Sequence, residues 1–323
     1  MKAIVCTRYG PPEVLMYQEV ATPEPKDDGI VVKTHTTTVT AGDCEIRSSR
    51  VQPWLWLPIR LWVGLVKPRG KAILGTEFAG EVDVVGKDVT AFKKGDRVFG
   101  STGFNFGTNA EYVQVPEQGD LAIMPPEMSY AEAVALPFGG RDALHFLRKG
   151  KADKGDRILI IGAGGSIGTF AVQLAKSLGA FVTAVDSTSK LEMLRSIGAD
   201  RVVDYTRENI FDTGESFDII FDTVGKTPFW RSLRSLTKNG RYLLANPSLS
   251  RMLAAPWVSM SGKKVVAAAA EGTKADLEYL RGLAAKGVIK PVIDRQFPLQ
   301  EIVEAHRYIE TGQKKGNVIV TVG

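Results

Sequence analysis

The sequence contains few residues that bind metals or form cross-links. Its 323 residues include two cysteines, Cys6 and Cys44, and three histidines, His35, His145 and His306. Two cysteines exclude a disulfide framework and a cysteine-rich zinc lobe. A catalytic zinc needs about three protein ligands, whereas these histidines stand singly in strand or helix patterns. We therefore expect packed or surface histidines and no metal site.

Long apolar runs, a signal peptide and clustered charge are absent as well. No apolar run reaches the ~20 residues that a membrane-spanning helix needs. The start, Met1-Lys-Ala-Ile-Val, lacks the apolar region and cleavage pattern of a signal peptide. The net charge is +5 and the lysines and arginines are scattered, so we expect no nucleic-acid partner. We predict a cytoplasmic protein that is long enough for two domains.

The most informative segment is a glycine-rich turn between a strand and a helix. Arg157-Ile-Leu-Ile-Ile161 predicts a strand, and residues 168–178 predict a helix. Glycine lets the backbone approach a pyrophosphate, which the first N–H groups of the helix then hold. A second strand ends in an acid roughly 20 residues further on, where dinucleotide-binding folds place a ribose ligand. We predict a dinucleotide site that includes Ala163, Gly164, Gly165, Ser166, Ile167, Gly168 and Asp186.

Two patterns of secondary structure divide the chain. In the first part, short alternating runs such as Ile30–His35 and Gly80–Val85 predict antiparallel strands. Ser129-Tyr-Ala-Glu132 matches a helix capping box, and helical spacing continues from there to Leu147. From Asp156 onward, strands and helices alternate, which predicts a parallel, doubly wound sheet.

Several short motifs follow one another along the chain. They are Gly75-Thr-Glu-Phe-Ala-Gly80, Lys94-Gly-Asp-Arg-Val98, Ala163-x-Gly165-x-Ile167-Gly168, Gly198-Ala-Asp200 and Lys314-Lys-Gly-Asn-Val-Ile-Val320. Together they resemble the medium-chain dehydrogenase/reductase superfamily, in its zinc-less, quinone-oxidoreductase-like branch. The resemblance covers essentially the whole chain. It implies an α/β protein in which a GroES-like, β-rich catalytic domain (1–125 with 291–323) accompanies a Rossmann NAD(P)-binding domain (126–290), and it implies a homodimer.

The positions at which zinc-dependent relatives carry metal ligands hold other residues here. Thr40 stands where the first cysteine would be, Thr76 replaces a histidine, and Leu136-Pro-Phe-Gly-Gly140 contains no cysteine. The resemblance therefore implies no zinc, and we expect Cys44 to be a small packed side chain. Without a Lewis acid, hydride transfer from a reduced nicotinamide to an electron-poor acceptor remains feasible.

The candidate catalytic residues come from the same resemblance. Residues 40–47 align with a family segment that typically reads Asn-x-x-Asp-x-Tyr-x-Arg. Asp43 and Arg47 match this segment, Thr40 replaces the asparagine and Glu45 replaces the tyrosine. Glu45 is a general acid if burial raises its pKa, and otherwise an exposed carboxylate. Asp43 equally fits a local ion pair with Arg47.

The choice between NADP(H) and NAD(H) depends on the end of the second strand. The Asp186 carboxylate favours NAD(H), because it accepts ribose hydroxyls and repels a 2′-phosphate. Ser187 and Lys190 offer a hydroxyl and a cation to that phosphate, and the branch more often uses NADPH, so we favour NADP(H). Asp142 replaces a threonine that relatives carry near the nicotinamide, and it either tunes the cofactor or caps a helix turn. Further cofactor contacts implied by the resemblance are Tyr205, Thr223, Val224, Asn246 and Asn317.

One apolar segment has no counterpart in these motifs. Pro53–Val66 contains Trp54, Trp56 and Trp62 and is too short to span a bilayer. Three interpretations stay open: a helix packed in the catalytic domain, which we favour, the wall of an apolar substrate pocket, or a contact with a membrane surface.

The features predict a zinc-independent oxidoreductase that transfers hydride from NAD(P)H to a quinone or an α,β-unsaturated carbonyl. Its substrate is then a small, apolar electrophile. Two alternatives remain: an alcohol dehydrogenase-type carbonyl reductase, or a low-turnover nucleotide-binding protein with a redox-sensing or RNA-associated role.

Overall fold

The computed structural model describes residues 1–69, 72–267 and 270–323. Their contacts group into two compact units. Unit 1 comprises Met1–Pro137, Thr273–Ala285 and Ile293–Gly323, and unit 2 comprises Phe138–Gly272 and Lys286–Val292. The predicted domain limits, 1–125 with 291–323 and 126–290, remain our proposal for the domain division.

Strands and helices are numbered here in chain order. The strands are β1 (Lys2–Cys6), β2 (Leu15–Glu19), β3 (Gly29–Val39), β4 (Glu77–Val85), β5 (Arg97–Ser101), β6 (Tyr112–Pro116), β7 (Asp120–Ile123), β8 (Arg157–Ile161), β9 (Phe181–Asp186), β10 (Arg201–Asp204), β11 (Phe217–Asp222), β12 (Leu236–Leu244), β13 (Lys264–Ala267), β14 (Ile293–Pro298) and β15 (Asn317–Thr321). The helices are α1 (Ala41–Ser48), α2 (Pro53–Val63), α3 (Tyr130–Val134), α4 (Pro137–Lys149), α5 (Ser166–Ser177), α6 (Leu191–Ser196), α7 (Phe229–Arg234), α8 (Leu249–Ser259), α9 (Lys274–Ala285) and α10 (Ile302–Glu310).

Unit 1 is built on a largely antiparallel sheet. The strand order is β14-β15-β3-β4-β5-β7, with β6 paired to β3, and β1 and β2 form a separate antiparallel pair. The last strand of the chain, β15, pairs with β3, so both ends of the chain contribute to one sheet. Alternating apolar residues such as Ile30, Val32 and Phe78 fill a core on one face. This confirms the β-rich part of the predicted fold.

Unit 2 contains a fully parallel, doubly wound sheet. Its strand order is β10-β9-β8-β11-β12-β13. The chain adds β9 and β10 on one side of β8 and then β11, β12 and β13 on the other side, as in dinucleotide-binding folds. The central strand β8 is Arg157-Ile-Leu-Ile-Ile161, and four of its residues are buried. Since helices cover both faces of such sheets, its strands read as continuous apolar runs. The Rossmann part of the predicted fold is thereby confirmed.

The helical pattern from Ser129 to Leu147 forms two helices. Ser129 caps α3 in a capping box with Glu132, as predicted. A second helix, α4, begins at Pro137, because proline lacks the N–H group that a continuing helix needs but fits the first helical position.

The Trp-rich segment is helical, and it is only partly packed on unit 1. Of the residues in α2, only Val63 is buried. The segment is apolar nearly all round, and such a pattern predicts a helix without saying which side is covered. In the described part of the chain, no helix is long and apolar enough to cross a membrane.

Candidate nucleotide-binding site

The predicted cofactor residues of unit 2 meet at one edge of its sheet. Ile161, Val185 and Asp222, at the ends of β8, β9 and β11, lie in register, and Asp204 of β10 pairs with Asp186. The segments that follow these strands therefore leave the sheet side by side. In open parallel sheets, ligands bind at this carboxyl edge, where the strand order reverses.

The turn after β8 has no room for side chains at three of its glycines. A Cβ atom on Gly162 would lie 2.4 Å from Val224 Cγ2, and one on Gly168 would lie 2.4 Å from the Gly162 carbonyl oxygen. Gly162 also has a φ of +73°, a conformation that glycine adopts without strain. A Cβ atom on Gly164 would meet Lys190 and Asp186. The backbone of the turn therefore packs directly against the neighbouring residues, without side chains between them.

Gly165 differs from the other glycines, and it begins α5. It is the N-cap residue with a φ of −86°, and it offers no side chain to cap the helix. A Cβ atom there would meet nothing in the protein closer than 3.5 Å. The first N–H groups of α5 therefore have no N-cap side chain as acceptor, and with the helix dipole they form a site for an anion such as a pyrophosphate.

Asp186 is bound within the protein rather than presented as an open acceptor. Its Oδ2 accepts a hydrogen bond from the Gly164 N–H at 2.8 Å, and its Oδ1 accepts one from the Ser187 N–H at 2.8 Å. The Lys190 ammonium lies 3.2 Å from Oδ1, and both side chains are more than 90 % buried. The carboxylate thus fixes the glycine turn and is neutralised by a cation four residues later.

The remaining predicted contacts of unit 2 surround the same edge. The Tyr205 N–H donates to the Asp186 carbonyl oxygen, and its side chain is exposed. The Thr223 hydroxyl donates to the Ile161 carbonyl oxygen, which joins β11 to the start of the turn. Val224 packs on Gly162, and Asn246 follows β12 at the same edge. Asn317, by contrast, opens β15 in unit 1, where it is buried.

A second carboxylate at this edge, that of Asp222, was not predicted from the sequence. It is fully buried and accepts hydrogen bonds from the N–H groups of Val224 and Gly225. Tyr242 Oη donates to it at 3.0 Å, and Arg251 lies 3.4 Å away. The carboxylate holds the loop that presses on Gly162. The sequence feature that could have predicted it is an acid at the end of an apolar strand, which is also the feature that predicts Asp186.

Asp142 is also in unit 2, where it lies half-buried on α4. One turn before it, Gly139 lies against the Ser166 carbonyl oxygen, and one turn after it, Phe146 packs on Phe221. Burial raises the pKa of Asp142 to about 7, and the charge of Arg141 lowers it only in part. The residue is in mid-helix, so it does not cap the start of α4.

Two of the candidate catalytic residues of unit 1, Thr40 and Asp43, form a helix cap. Thr40 is the N-cap of α1, and its hydroxyl accepts a hydrogen bond from the Asp43 N–H. The Asp43 carboxylate accepts hydrogen bonds from the Thr40 N–H at 2.8 Å, the Thr40 hydroxyl at 2.6 Å and the Gly75 N–H at 3.2 Å. Burial raises the pKa of Asp43, and these hydrogen bonds oppose the rise. The pair joins α1 to the chain before β4.

The other two residues of this segment point elsewhere. Arg47 is completely buried, forms an ion pair with Glu310 and donates to the Gly10 carbonyl oxygen. The alternative of a local ion pair with Asp43 is therefore wrong for Arg47. Glu45 is exposed on α1, as expected of a carboxylate that is not held in an apolar pocket.

Cys44 and His306, although 262 positions apart, are in contact. Cys44 Sγ lies 3.2 Å from His306 Nδ1, and both side chains are buried. Burial raises the pKa of Cys44 to about 12 and lowers the pKa of His306 to about 3, so both groups are neutral. Within residues 1–69, 72–267 and 270–323, no group of three or more His, Cys, Asp or Glu side chains is arranged to hold a metal ion.

Two family models match the chain. Residues 26–126 match the alcohol dehydrogenase GroES-like domain, and residues 197–320 match a model described as zinc-binding dehydrogenase.

Known proteins similar to the chain cover nearly all of it. A 2-methylene-furan-3-one reductase of Solanum lycopersicum is 31 % identical over 332 residues, which cover 99 % of this chain and 79 % of that protein. Quinone oxidoreductase of Escherichia coli, solved with NADPH, has a TM-score of 0.84 and 25 % identity over 99 % of this chain and 100 % of its own. A structure described as an NAD-dependent alcohol dehydrogenase has a TM-score of 0.87 and 27 % identity over the whole of both chains.

Proposed function

Because this chain belongs to the medium-chain dehydrogenase/reductase superfamily, in its quinone-oxidoreductase-like branch, we propose that it reduces quinones or α,β-unsaturated carbonyl compounds with NADPH. The observation that carries the proposal is the bare glycine turn at the carboxyl edge of the unit 2 sheet, followed directly by the uncapped start of α5. A turn of this shape accepts a pyrophosphate, and the residues present therefore fit a nicotinamide dinucleotide.

The nicotinamide supplies a hydride when it is bound. The protein's own residues would bind the cofactor and orient it toward the acceptor. The N–H groups at the start of α5 hold the pyrophosphate, and Thr223 and Val224 set the position of the turn on its other side. An acceptor that is already electron-poor, such as a quinone or an enone, then needs alignment and a hydrogen-bond donor near the developing negative charge. A small, apolar electrophile is the substrate class that this chemistry suits.

NADPH is proposed over NADH because the Asp186 carboxylate is already compensated. It accepts two backbone N–H groups and pairs with Lys190, so its repulsion of a 2′-phosphate is weakened. Ser187 and Lys190 stand directly after β9, where that phosphate would lie. The E. coli relative solved with NADPH supports this choice, and the NAD-dependent alcohol dehydrogenase supports the alternative.

In unit 1 the predicted roles of Thr40, Asp43 and Glu45 stay proposals. Thr40 and Asp43 are proposed to fix the segment, because their polar groups are used in the helix cap. Glu45 is the exposed carboxylate of the three and is proposed as a proton source. A zinc-free reaction is proposed since threonine stands at positions 40 and 76. A homodimer in the cytoplasm completes the proposal.

The test is a turnover assay that uses NADPH or NADH with a panel of quinones and enones, followed by the absorbance of the reduced cofactor. We expect oxidation of the cofactor with at least one acceptor, by protein in which elemental analysis finds no stoichiometric zinc. Zinc together with oxidation of simple alcohols would instead support the carbonyl reductase. Cofactor binding without turnover on any acceptor would support the nucleotide-binding protein.

A further inference from the structure

All five tryptophans of this chain lie at its surface. Their exposed fractions range from 37 % for Trp54 to 73 % for Trp257. Tryptophan is highly buried on average in globular proteins, because its ring is large and apolar. The five residues are confined to two places: Trp54, Trp56 and Trp62 are in α2, and Trp230 and Trp257 are in α7 and α8.

The first place is the outward face of α2, which has no polar residue. Its exposed positions are Pro53, Trp54, Trp56, Leu57, Pro58, Leu61 and Trp62. Helices at the surface of a soluble protein turn charged and polar residues outward, whereas α2 turns apolar residues outward. Leu65, Val66 and Phe104 are exposed too, and the Phe104 ring packs edge-on against Trp62 at 5.6 Å. We call these residues together the α2 surface.

The second place is in unit 2 and has the same character. Leu249, Leu253, Pro256, Trp257 and Met260 are exposed along one face of α8 and its C-cap. Beside them, Trp230 and Trp257 line a cavity of about 350 Å³, together with Arg234 and Lys263. We call these residues the α8 surface.

Both surfaces lie in stretches of sequence that contain no acid. Residues 46–76 include six lysines and arginines, and residues 223–270 include eight, without a single Asp or Glu in either. At the average of the whole chain, 36 acids in 323 residues, these stretches would hold about three and about five. Exposed cations flank the apolar faces: Arg50, Lys67 and Arg69 at α2, and Arg234 and Lys264 at α8.

We propose that the α2 surface and the α8 surface each bind the surface of an anionic phospholipid bilayer. A short helix with an apolar outward face enters the boundary between headgroups and acyl chains, tryptophan prefers this depth, and lysine and arginine attract anionic headgroups. The proposed homodimer leaves these two surfaces free, because a second copy of the chain would bring the same positive charge to both of them. Membrane docking goes beyond the proposed reductase activity and does not depend on it.

The tryptophans themselves report on the proposal, since all of them are on the two surfaces. The full chain is mixed with vesicles of phosphatidylcholine alone or with an equal share of phosphatidylglycerol, and it is then sedimented. We expect at least tenfold more bound protein on the anionic vesicles, with less binding at high salt. Tryptophan emission should shift to shorter wavelength on binding, and lipids brominated along the chain should quench it.

Three variants separate the contributions of the surfaces. Leu61→Glu and Leu253→Glu place a carboxylate on the α2 surface and the α8 surface, and Leu178→Glu is the matched control, since Leu178 is exposed on neither. We expect each of the first two variants to lower vesicle binding at least fivefold and the control to leave it unchanged. Cofactor binding in solution, measured for all three, verifies that the chain is folded.

Any one of four outcomes would overturn the proposal for the surface concerned. The folded protein does not sediment with anionic vesicles, or all three variants bind equally well. Alternatively, the emission is already at short wavelength in buffer, and light scattering shows a dimer that Leu61→Glu or Leu253→Glu dissociates, in which case a second copy covers the surface. A rise in the KM of a water-soluble enone for Leu61→Glu without lipid, with vesicle binding unchanged, identifies the α2 surface as a pocket wall.

Discussion

The Lys190 ammonium lies 3.2 Å from the Asp186 carboxylate, and neither side chain exposes as much as a tenth of its surface. The same carboxylate accepts the N–H group of Gly164. A charge pair at the end of β9 is thereby connected to the backbone that is proposed to hold the pyrophosphate. A change at either residue should affect both the stability of the turn and the choice of cofactor.

We expect Lys190→Met to weaken NADPH binding at least tenfold and NADH binding less than threefold, because a 2′-phosphate loses its nearest cation. The variant should also lose about 3 kcal/mol of stability, since it leaves a buried carboxylate without its counter-ion. Cofactor titration and denaturant unfolding measure the two effects. The double variant Asp186→Asn/Lys190→Met is the control, and it should regain most of the stability. Equal losses for both cofactors would contradict the proposed preference.

Gly165→Ala tests the glycine turn without disturbing its packing. A Cβ atom at this position meets no protein atom closer than 3.5 Å, and the φ of −86° suits alanine. We expect the melting temperature to stay within about two degrees, because exposed substitutions without strain change little. NADPH affinity should fall at least tenfold, because the methyl group keeps the backbone from the pyrophosphate. Unchanged affinity would place the cofactor elsewhere.

The cap formed by Thr40 and Asp43 predicts a loss of stability. We expect Thr40→Ala to lower the free energy of unfolding by about 1 kcal/mol. Asp43→Ala should lower it by about 3 kcal/mol, since the Gly75 N–H also loses its acceptor. Thr40→Ser keeps the hydroxyl and is the matched control. If Asp43→Asn unfolds like the unaltered protein but loses most of kcat, the residue acts in the reaction rather than in the cap.

The fold and the glycine turn could be predicted because their causes are local. β8 is a continuous apolar run, and the glycines after it mark a turn with no room for side chains, so the strand Arg157–Ile161 and the following helix agree with the pattern. The position of Asp186 at the end of β9 follows from the same alternation of strands and helices.

Other features depend on contacts that sequence does not display. Cys44 and His306 are in contact although they are 262 positions apart. Arg47 pairs with Glu310 rather than with Asp43, because α10 packs beside α1. The exposure of α2 was unexpected for a different reason. An apolar pattern shows that a helix gains by leaving water, but it does not show whether protein or lipid would cover it.

Asp142 predicts that stability depends on pH. Burial raises its pKa from 3.8 to about 7, so the unfolded chain releases this proton at lower pH than the folded protein does. The carboxyl therefore destabilises the fold increasingly as the pH rises from about 4 to about 7, by up to about 4 kcal/mol in the limit. We expect Asp142→Asn to raise the melting temperature at pH 8 and to leave it unchanged at pH 4.

The control for this prediction is the exposed Asp88→Asn, which should shift the melting temperature little at either pH. If the melting temperatures of Asp142→Asn and of the unaltered protein differ by the same amount at every pH, the carboxyl titrates normally and the prediction is wrong.

The two cysteines should be unreactive in the folded protein. Burial raises the pKa of Cys6 to about 11 and that of Cys44 to about 12, and only the thiolate is a nucleophile. At pH 8 we expect a disulfide reagent to label neither residue over the time of an activity assay, and to label both at once in denaturant. Because the folded pKa values exceed the unfolded ones, the thiols contribute full stability below about pH 9 and lose it as the pH rises further. Fast labelling of Cys44 in the native state would show that its contact with His306 opens to solvent, and Cys44→Ala identifies which thiol reacts.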